Sequence, residues 1–331
     1  RRRPPTFLVL RGAQGIRRSR SREAPMQRYF LFKAGQSILL LVGVLILVFF
    51  LVRITGDPAR LMMPREASAA AVEAFREEMG FNRPLIVQFA DYFAGVLTGD
   101  FGRSLHFKSS ALDLVLERLP ATVQLAATAI VFAMLVGVPL GLVGGFNPGS
   151  VVDSVGRFLA LLGQSIPNFW LGLLLMLFFA VRLGWLPSFG RDEWRSVILP
   201  AFVLGLPTMG QLVRLTRSAV LEVRGEDFIR TANSKGLLPG TIYTKHVLRN
   251  VAIPLVSVIG VQFGYMLGGS IIIETVFAWP GIGQLLEQAI GWRDYPLVMA
   301  IAVFTSLAVL LINLLTDVAY AVIDPRIRYG H

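Results

Sequence analysis

Residues Glu222–Asn250 read EVRGEDFIRTANSKGLLPGTIYTKHVLRN, a basic and polar segment between two long apolar runs. The apolar runs are Val197–Val213 before it and Ala252–Trp279 after it. Apolar runs of this kind favour a lipid bilayer, and this segment does not. We expect the segment to lie outside the bilayer, where a soluble partner can bind it.

Six apolar segments approach the length of about 20 residues that a helix needs to cross the hydrocarbon core. The fourth contains Pro200, Gly205, Pro207 and Gly210, which membrane helices tolerate where neighbouring helices compensate the backbone. We therefore predict an all-α integral membrane protein with about six transmembrane helices. The predicted spans are Gly35–Val52, Ala121–Phe146, Phe158–Leu183, Val197–Val213, Ala252–Trp279 and Leu297–Ile323.

The composition supports the membrane assignment and excludes several functions. Of the 331 residues, 54% are hydrophobic and only 16% are charged, whereas soluble domains carry about 25% charged residues. The net charge of +11 is explained by basic residues that flank apolar spans, so no nucleic-acid partner is expected. Cysteine is absent and the three histidines are scattered, so we expect neither a metal site nor a thiol nucleophile. No phosphate-binding GxxxxGK[ST] loop occurs, and the chain is predicted not to be an enzyme.

Residues 1–25 form an arginine-rich stretch that precedes Met26. It lacks the apolar core of a signal peptide. We predict a disordered basic extension, with Met26 as the natural start, and a basic arm that contacts anionic lipid headgroups is the alternative. The remainder, residues 26–331, is predicted to be one transmembrane domain.

The charges of the short flanks predict the orientation of the chain. Residues 26–34 contain Arg28 and Lys33 without an acidic residue, so the N-terminus is expected in the cytoplasm. Six crossings return the C-terminus to the same side, and they place the loop 222–250 in the cytoplasm and the loop 53–118 outside.

The outer loop 53–118 has predicted structure of its own. Ala67–Met79 favours a helix that ends at Gly80, and Tyr92–Leu97 is an amphipathic stretch that suits the membrane surface. The loop either packs over the outer helix ends or offers a docking surface to an external protein.

Polar side chains within the predicted spans are candidates for the translocation path or its gate. They are Gln262, Glu274 and Asp317. For Glu274 and Asp317, an interhelical hydrogen bond or a capping interaction is the favoured alternative.

The loop 222–250 predicts two short helices joined by a turn. Phe228–Lys235 has helical character that ends at Gly236, because glycine adopts the left-handed conformation without strain. Pro239 suits the first turn of a second helix, to which Ile242, Val247 and Leu248 supply apolar side chains. An amphipathic loop resting on lipid headgroups is the alternative.

The same segment resembles the EAA loop of ABC importer permeases, which docks on the ATPase subunits. The resemblance rests on Arg230-Thr231-Ala232 followed by Gly236. Three departures are typical of the dipeptide/oligopeptide/nickel branch: Arg and Thr open the motif, His246 and Arg249 replace isoleucine and proline, and the proline is displaced to Pro254.

Further blocks resemble the same branch, so that the likeness extends from about Met26 to Tyr329. They are Gly56–Ala59, Gly99–Leu105, Gly184–Pro187, Glu274–Gly283 and Asp324–Tyr329.

The resemblance implies the type I ABC importer permease fold with cytoplasmic coupling helices, in a multi-pass protein of the bacterial inner membrane. The implied partners are a second homologous permease, two cytoplasmic ATPase subunits that bind ATP and Mg, and an extracytoplasmic substrate-binding protein. The implied ATPase-coupling residues are Asp227, Arg230, Thr231, Ala232, Lys235, Gly236, His246 and Arg249.

The implied mechanism is alternating access, with di- and oligopeptides as the expected substrates and glutathione or nickel chelates as the alternative. A stand-alone secondary transporter is the rival from another class. It would need no ATPase and is expected to carry inverted repeats, none of which is evident in the sequence.

Overall fold

The computed structural model describes residues 26–54, 56–64, 66–104, 106–238, 242 and 247–323. The described part is helical, with one isolated antiparallel bridge between Arg103 and Ser110. Its α-helices, numbered α1 to α13 in chain order, are Met26–Ile54, Pro58–Met62, Ala69–Glu78, Leu85–Thr98, Ala111–Phe146, Val151–Ser165, Asn168–Leu175, Ile198–Arg224, Asp227–Ser234, Leu248–Gly269, Ile271–Val276, Ile282–Gly291 and Tyr295–Ile323. A π-helical segment, Met176–Arg182, continues α7, and a 3₁₀ turn, Trp194–Val197, precedes α8.

Four of the predicted spans are single continuous helices of membrane-crossing length and composition. They are Gly35–Ile54, Ala111–Phe146, Trp194–Arg224 and Tyr295–Ala319. The fourth predicted span, Val197–Val213, is thereby confirmed despite its prolines and glycines.

The third predicted span, Phe158–Leu183, is wrong as a single straight helix. The chain forms two helical segments, Val151–Ser165 and Asn168–Arg182, bent by 106°. The break falls at Ile166-Pro167, because proline lacks a backbone N–H and disfavours helical geometry in the preceding residue.

The fifth predicted span, Ala252–Trp279, is also interrupted. Helix α10 ends at Gly269, and the short helix α11 follows after Ser270. Two consecutive glycines at 268 and 269 weaken the helix, and the Ser270 hydroxyl is engaged by Glu274 at 2.7 Å. Helix α10 itself has 22 residues.

The outer loop contains the predicted helix as α3. Ser68 caps its N-terminus and Gly80 follows its end with φ +69°. The amphipathic stretch 92–97 lies in the longer helix α4. Helix α5 begins at Ala111, inside the predicted loop 53–118. Asp113 and Glu117 lower the hydropathy of its first turns, so the prediction left these turns out of the span although they are helical.

Helix α8 lies at the centre of the bundle, packed between α5 and α6. A Cβ on Gly205 would lie 2.6 Å from the Ala129 carbonyl oxygen, and one on Gly210 2.8 Å from that of Ala160. Reciprocally, a Cβ on Gly163 would lie 2.7 Å from the Leu206 carbonyl oxygen. Small residues therefore allow these backbones to approach closely, as is common between membrane helices.

Helices α1 and α13 pack side by side and are joined by an ion pair. Lys33 Nζ, near the start of α1, lies 3.1 Å from Asp317 Oδ2, near the end of α13. The beginning of the first span and the end of the last therefore lie at the same end of the bundle.

Candidate functional site

The predicted coupling helix is present as α9, Asp227–Ser234, directly after α8. Ile229 is only 6% exposed and belongs to an apolar cluster with Val220, Val251 and Leu255. Ile229 therefore joins α9 to an apolar cluster that also contains residues near the end of α8 and the start of α10.

The opposite side of α9 presents polar side chains to solvent. Asp227 and Arg230 face each other at 4.0 Å with side chains 98% and 80% exposed, so this pair adds little stability. Thr231 and Lys235 are exposed as well. The predicted residues therefore form an accessible charged surface.

Gly236 ends the helix as predicted, with φ +72°. The Lys235 N–H donates to the Thr231 carbonyl, 3.1 Å away, and a Cβ at Gly236 would meet no atom within 4 Å. The glycine is required by the backbone conformation and leaves open space beside it. Leu238, two residues on, is 75% exposed.

The remaining predicted coupling residues are less fully described. Ala232 lies in α9 and Arg249 in the first turn of α10. His246 lies outside the described residues, as does most of the predicted second coupling helix. Ile242 and Val247, two of its three predicted apolar side chains, are buried.

The three path candidates are separated in the structure, and each has its own polar partner. The Gln262 amide donates to Gln211 Oε1 at 2.6 Å, and Asp317 pairs with Lys33. Glu274 is buried in a hydrogen-bonded cluster with Thr122 of α5.

The Glu274 carboxylate accepts three hydrogen bonds inside the protein. Oε1 accepts from the hydroxyls of Thr122 at 2.9 Å and Ser270 at 2.7 Å. Oε2 accepts from the Gln284 N–H at 3.0 Å. A Cβ on Gly281 would collide with this carboxylate, so the glycine creates the space that the carboxylate fills.

Sequence reasoning missed an ion pair that joins α6 to α8. Arg217 binds Asp153 through two guanidinium nitrogens, Nε to Oδ1 at 2.5 Å and Nη2 to Oδ2 at 3.2 Å. The Gly149 N–H also donates to Asp153 Oδ2, and the Asp153 side chain is 1% exposed. The acid at the third position of a helix after Ser150, in an otherwise apolar region, is the signal that could have revealed it.

Among the described residues, no group of three or more His, Cys, Asp or Glu side chains could hold a metal ion. The described architecture, a bundle of spanning helices with a short polar helix between two of them, is that of a polytopic membrane protein.

Comparison with known proteins places the chain in a family. Residues 137–329 match the binding-protein-dependent transport system inner membrane component, and residues 26–126 match the N-terminal region of such membrane components. The chain belongs to this family and is a permease of a binding-protein-dependent ABC importer.

Its similar relatives include glutathione transport system permease proteins. The protein GsiC of Salmonella choleraesuis is 43% identical over 88% of this chain and 95% of its own length. That of Pectobacterium atrosepticum is 41% identical over 92% of this chain and its full length, and that of Escherichia coli K12 is 40% identical.

Among solved structures, an inward-facing conformation of the MetNI methionine ABC transporter matches with a TM-score of 0.52. The match covers 64% of this chain and 96% of the other at 21% identity. It establishes the type I ABC importer permease fold predicted from the sequence.

Proposed function

We propose that this chain forms half of the translocation path of an ATP-driven importer and that α9 transmits the state of the ATPase subunits to the spans. The observation that carries the proposal is the construction of α9. Ile229 is buried in an apolar cluster with residues near the end of α8 and the start of α10, while Asp227, Arg230 and Lys235 remain exposed. A partner with two states that contacts this surface differently can shift a conformational equilibrium.

The proposed assembly contains a second homologous permease, two cytoplasmic ATPases that hold ATP and Mg, and an extracytoplasmic substrate-binding protein. This chain supplies no catalytic group to the assembly. Its part is alternating access, with α9 and both termini in the cytoplasm.

We propose short peptides as the substrate class, with glutathione as the first substrate to test. The names of the relatives support glutathione, a tripeptide, and the sequence motifs support the wider peptide and nickel branch. Di- and oligopeptides remain the second candidate on the strength of those motifs.

The coupling role is tested by a matched pair of substitutions, Gly236→Trp and Gly149→Trp. Both glycines have left-handed φ, +72° and +84°, and neither has an atom within 4 Å of an added Cβ. The intrinsic backbone strain is therefore matched, and Gly236 directly follows α9 whereas Gly149 precedes α6. We expect Gly236→Trp to lower ATP-dependent uptake by about tenfold or more, a typical size for a lost coupling free energy.

The assay uses the reconstituted importer with binding protein and labelled glutathione. Gly149→Trp should retain most of the uptake, and affinity for the binding protein should be unchanged in both variants. Normal uptake by a fully assembled Gly236→Trp importer would refute the coupling role. Uptake without the ATPase subunits would instead identify a secondary transporter.

A further inference from the structure

Arg214 of α8 is an exposed cation on a helix that spans the membrane. Its Nη1 donates to Gln164 Oε1 of α6 at 2.8 Å. The partner is a neutral amide, so this contact does not compensate the positive charge.

The direction of the Arg214 side chain follows from the antiparallel packing of α6 and α8. Successive close approaches pair Asp153 with Arg217, Gly156 with Val213, Ala160 with Gly210 and Gly163 with Leu206.

Gln164 therefore lies near the level of Leu206, eight residues before Arg214 on α8. Eight helical residues correspond to about 12 Å. The Arg214 guanidinium consequently extends away from α9 and into the depth of the bundle, as the tilt of the Cα–Cβ bond toward the helix N-terminus favours. A basic residue near the end of a lipid-facing span would instead extend toward the interface.

A cation at this depth is unfavourable on a lipid-facing surface. Arginine at the centre of a membrane helix costs at least about 2.5–3.5 kcal/mol. Because Arg214 and Gln164 are both exposed on this chain, their surface must border water or another polar group in the assembled importer.

The break between α6 and α7 supports the same conclusion independently. It lies at Ile166-Pro167, two residues after Gln164, and both Ser165 beside the break and Pro167 within it are exposed. Irregular backbone at membrane depth is tolerated where it is buried in protein or lines a water-filled cavity. Exposure of these residues on the chain favours the cavity.

Two further amides extend this polar surface. Gln211 lies three residues before Arg214 on the same side of α8, and it accepts a hydrogen bond from Gln262 of α10. We define the polar face as Gln164, Ser165, Gln211, Arg214 and Gln262.

We propose that the polar face lines the translocation path and that Arg214 binds a carboxylate of the solute in transit. This inference rests on the proposed function and deepens it. A guanidinium presents five N–H donors, and the bond to Gln164 uses one of them. Its planar fork matches a carboxylate in bidentate geometry, and short peptides carry at least one carboxylate.

The chain contains no cysteine, so a single introduced thiol reports on one position of this chain. The test uses Ser165→Cys in the complete importer in nanodiscs, labelled with an anionic methanethiosulfonate (ethylsulfonate) or its cationic counterpart (ethyltrimethylammonium). Labelling is read by the mass of this chain. We expect Ser165→Cys to react with both reagents, and Leu40→Cys, a 60% exposed position on α1, to remain unlabelled because it faces lipid.

The charge of Arg214 is tested by the ratio of the two labelling rates at Ser165→Cys. We expect the anionic reagent to be favoured, and the preference to fall by at least about threefold in Arg214→Gln because a nearby charge is removed. Arg214→Lys should keep the preference, which controls for a general disturbance of the fold. No labelling at position 165 would overturn the path assignment, and an unchanged ratio in Arg214→Gln would overturn the anion-binding role.

A second measurement connects the site to transport. Uptake of labelled glutathione should fall in Arg214→Gln and be partly restored in Arg214→Lys, with ATPase activity of the complex retained. Equal uptake by Arg214→Gln and the unmodified importer would also overturn the role. Absence of glutathione uptake by the unmodified importer would count against the proposed substrate, and the labelling ratio would still decide the role of Arg214.

Discussion

At the scale of single residues, the block Glu274–Gly283 shows how one motif can be read for transport or for packing. The sequence places an acid in an apolar span, which is a default candidate for the path. In the structure its oxygens are occupied by Thr122, Ser270 and the Gln284 N–H. The Trp279 indole reinforces the same contact by donating to the Ala121 carbonyl at 2.9 Å. The cluster thus joins the end of the interrupted fifth span to α5.

Replacement of Glu274 by glutamine separates these two roles. The amide can accept at one side only, so a buried hydrogen bond is lost at a cost of about 1–3 kcal/mol. We expect a lower midpoint of thermal unfolding in detergent, whereas Glu193→Gln, the same change at an exposed position, should have no effect. If Glu274→Gln keeps its midpoint and abolishes uptake, the carboxylate acts in the path.

At the scale of the helix, α8 explains why prolines and glycines did not prevent a span. Gly205 faces α5 and Gly210 faces α6. On the facing helix α5, Gly137, Gly141 and Gly145 repeat every four residues and meet α8 along its length. Their function is close approach of the backbones, which a glycine's lack of a side chain permits.

A leucine at one of these contacts should destabilise the bundle. We predict that Gly210→Leu costs about 1–3 kcal/mol or more through overpacking, because its Cβ would lie 2.8 Å from a backbone oxygen. Gly43→Leu on α1, where a Cβ meets nothing within 4 Å, is the matched control. The measurement is the fraction of protein that remains folded after heating, as determined by size-exclusion chromatography. Equal stability of the two variants would contradict the packing of α8.

At the scale of the whole molecule, the question is which end of the bundle faces the cytoplasm. The Lys33–Asp317 pair places the start of the first span and the end of the last at one end of the bundle, and α9 follows the end of α8. Basic flanks predict that α9 lies inside.

Thiol labelling of intact spheroplasts tests this orientation. Ser234→Cys on α9 and Asp192→Cys before α8 are both exposed positions at opposite ends of one span. We expect an impermeant maleimide to label Asp192→Cys from outside and Ser234→Cys only after the membrane is opened. The reverse pattern would invert the proposed topology and remove α9 from the ATPases.

The amino-acid sequence by itself determined the membrane setting, the four continuous spans, the short helix α9 with its terminal glycine, and the family. These features depend on hydropathy, local backbone preference and a contiguous motif, and each of these can be recognised from residues that are close in sequence. Pro167 and the glycines at 268 and 269 interrupt two of the predicted spans locally, whereas the tertiary structure alone decided the burial of Glu274 and the direction of Arg214. Those features depend on which residues of distant helices meet, since apolar composition shows that a segment enters the bilayer and does not show which of its faces meets protein, lipid or water.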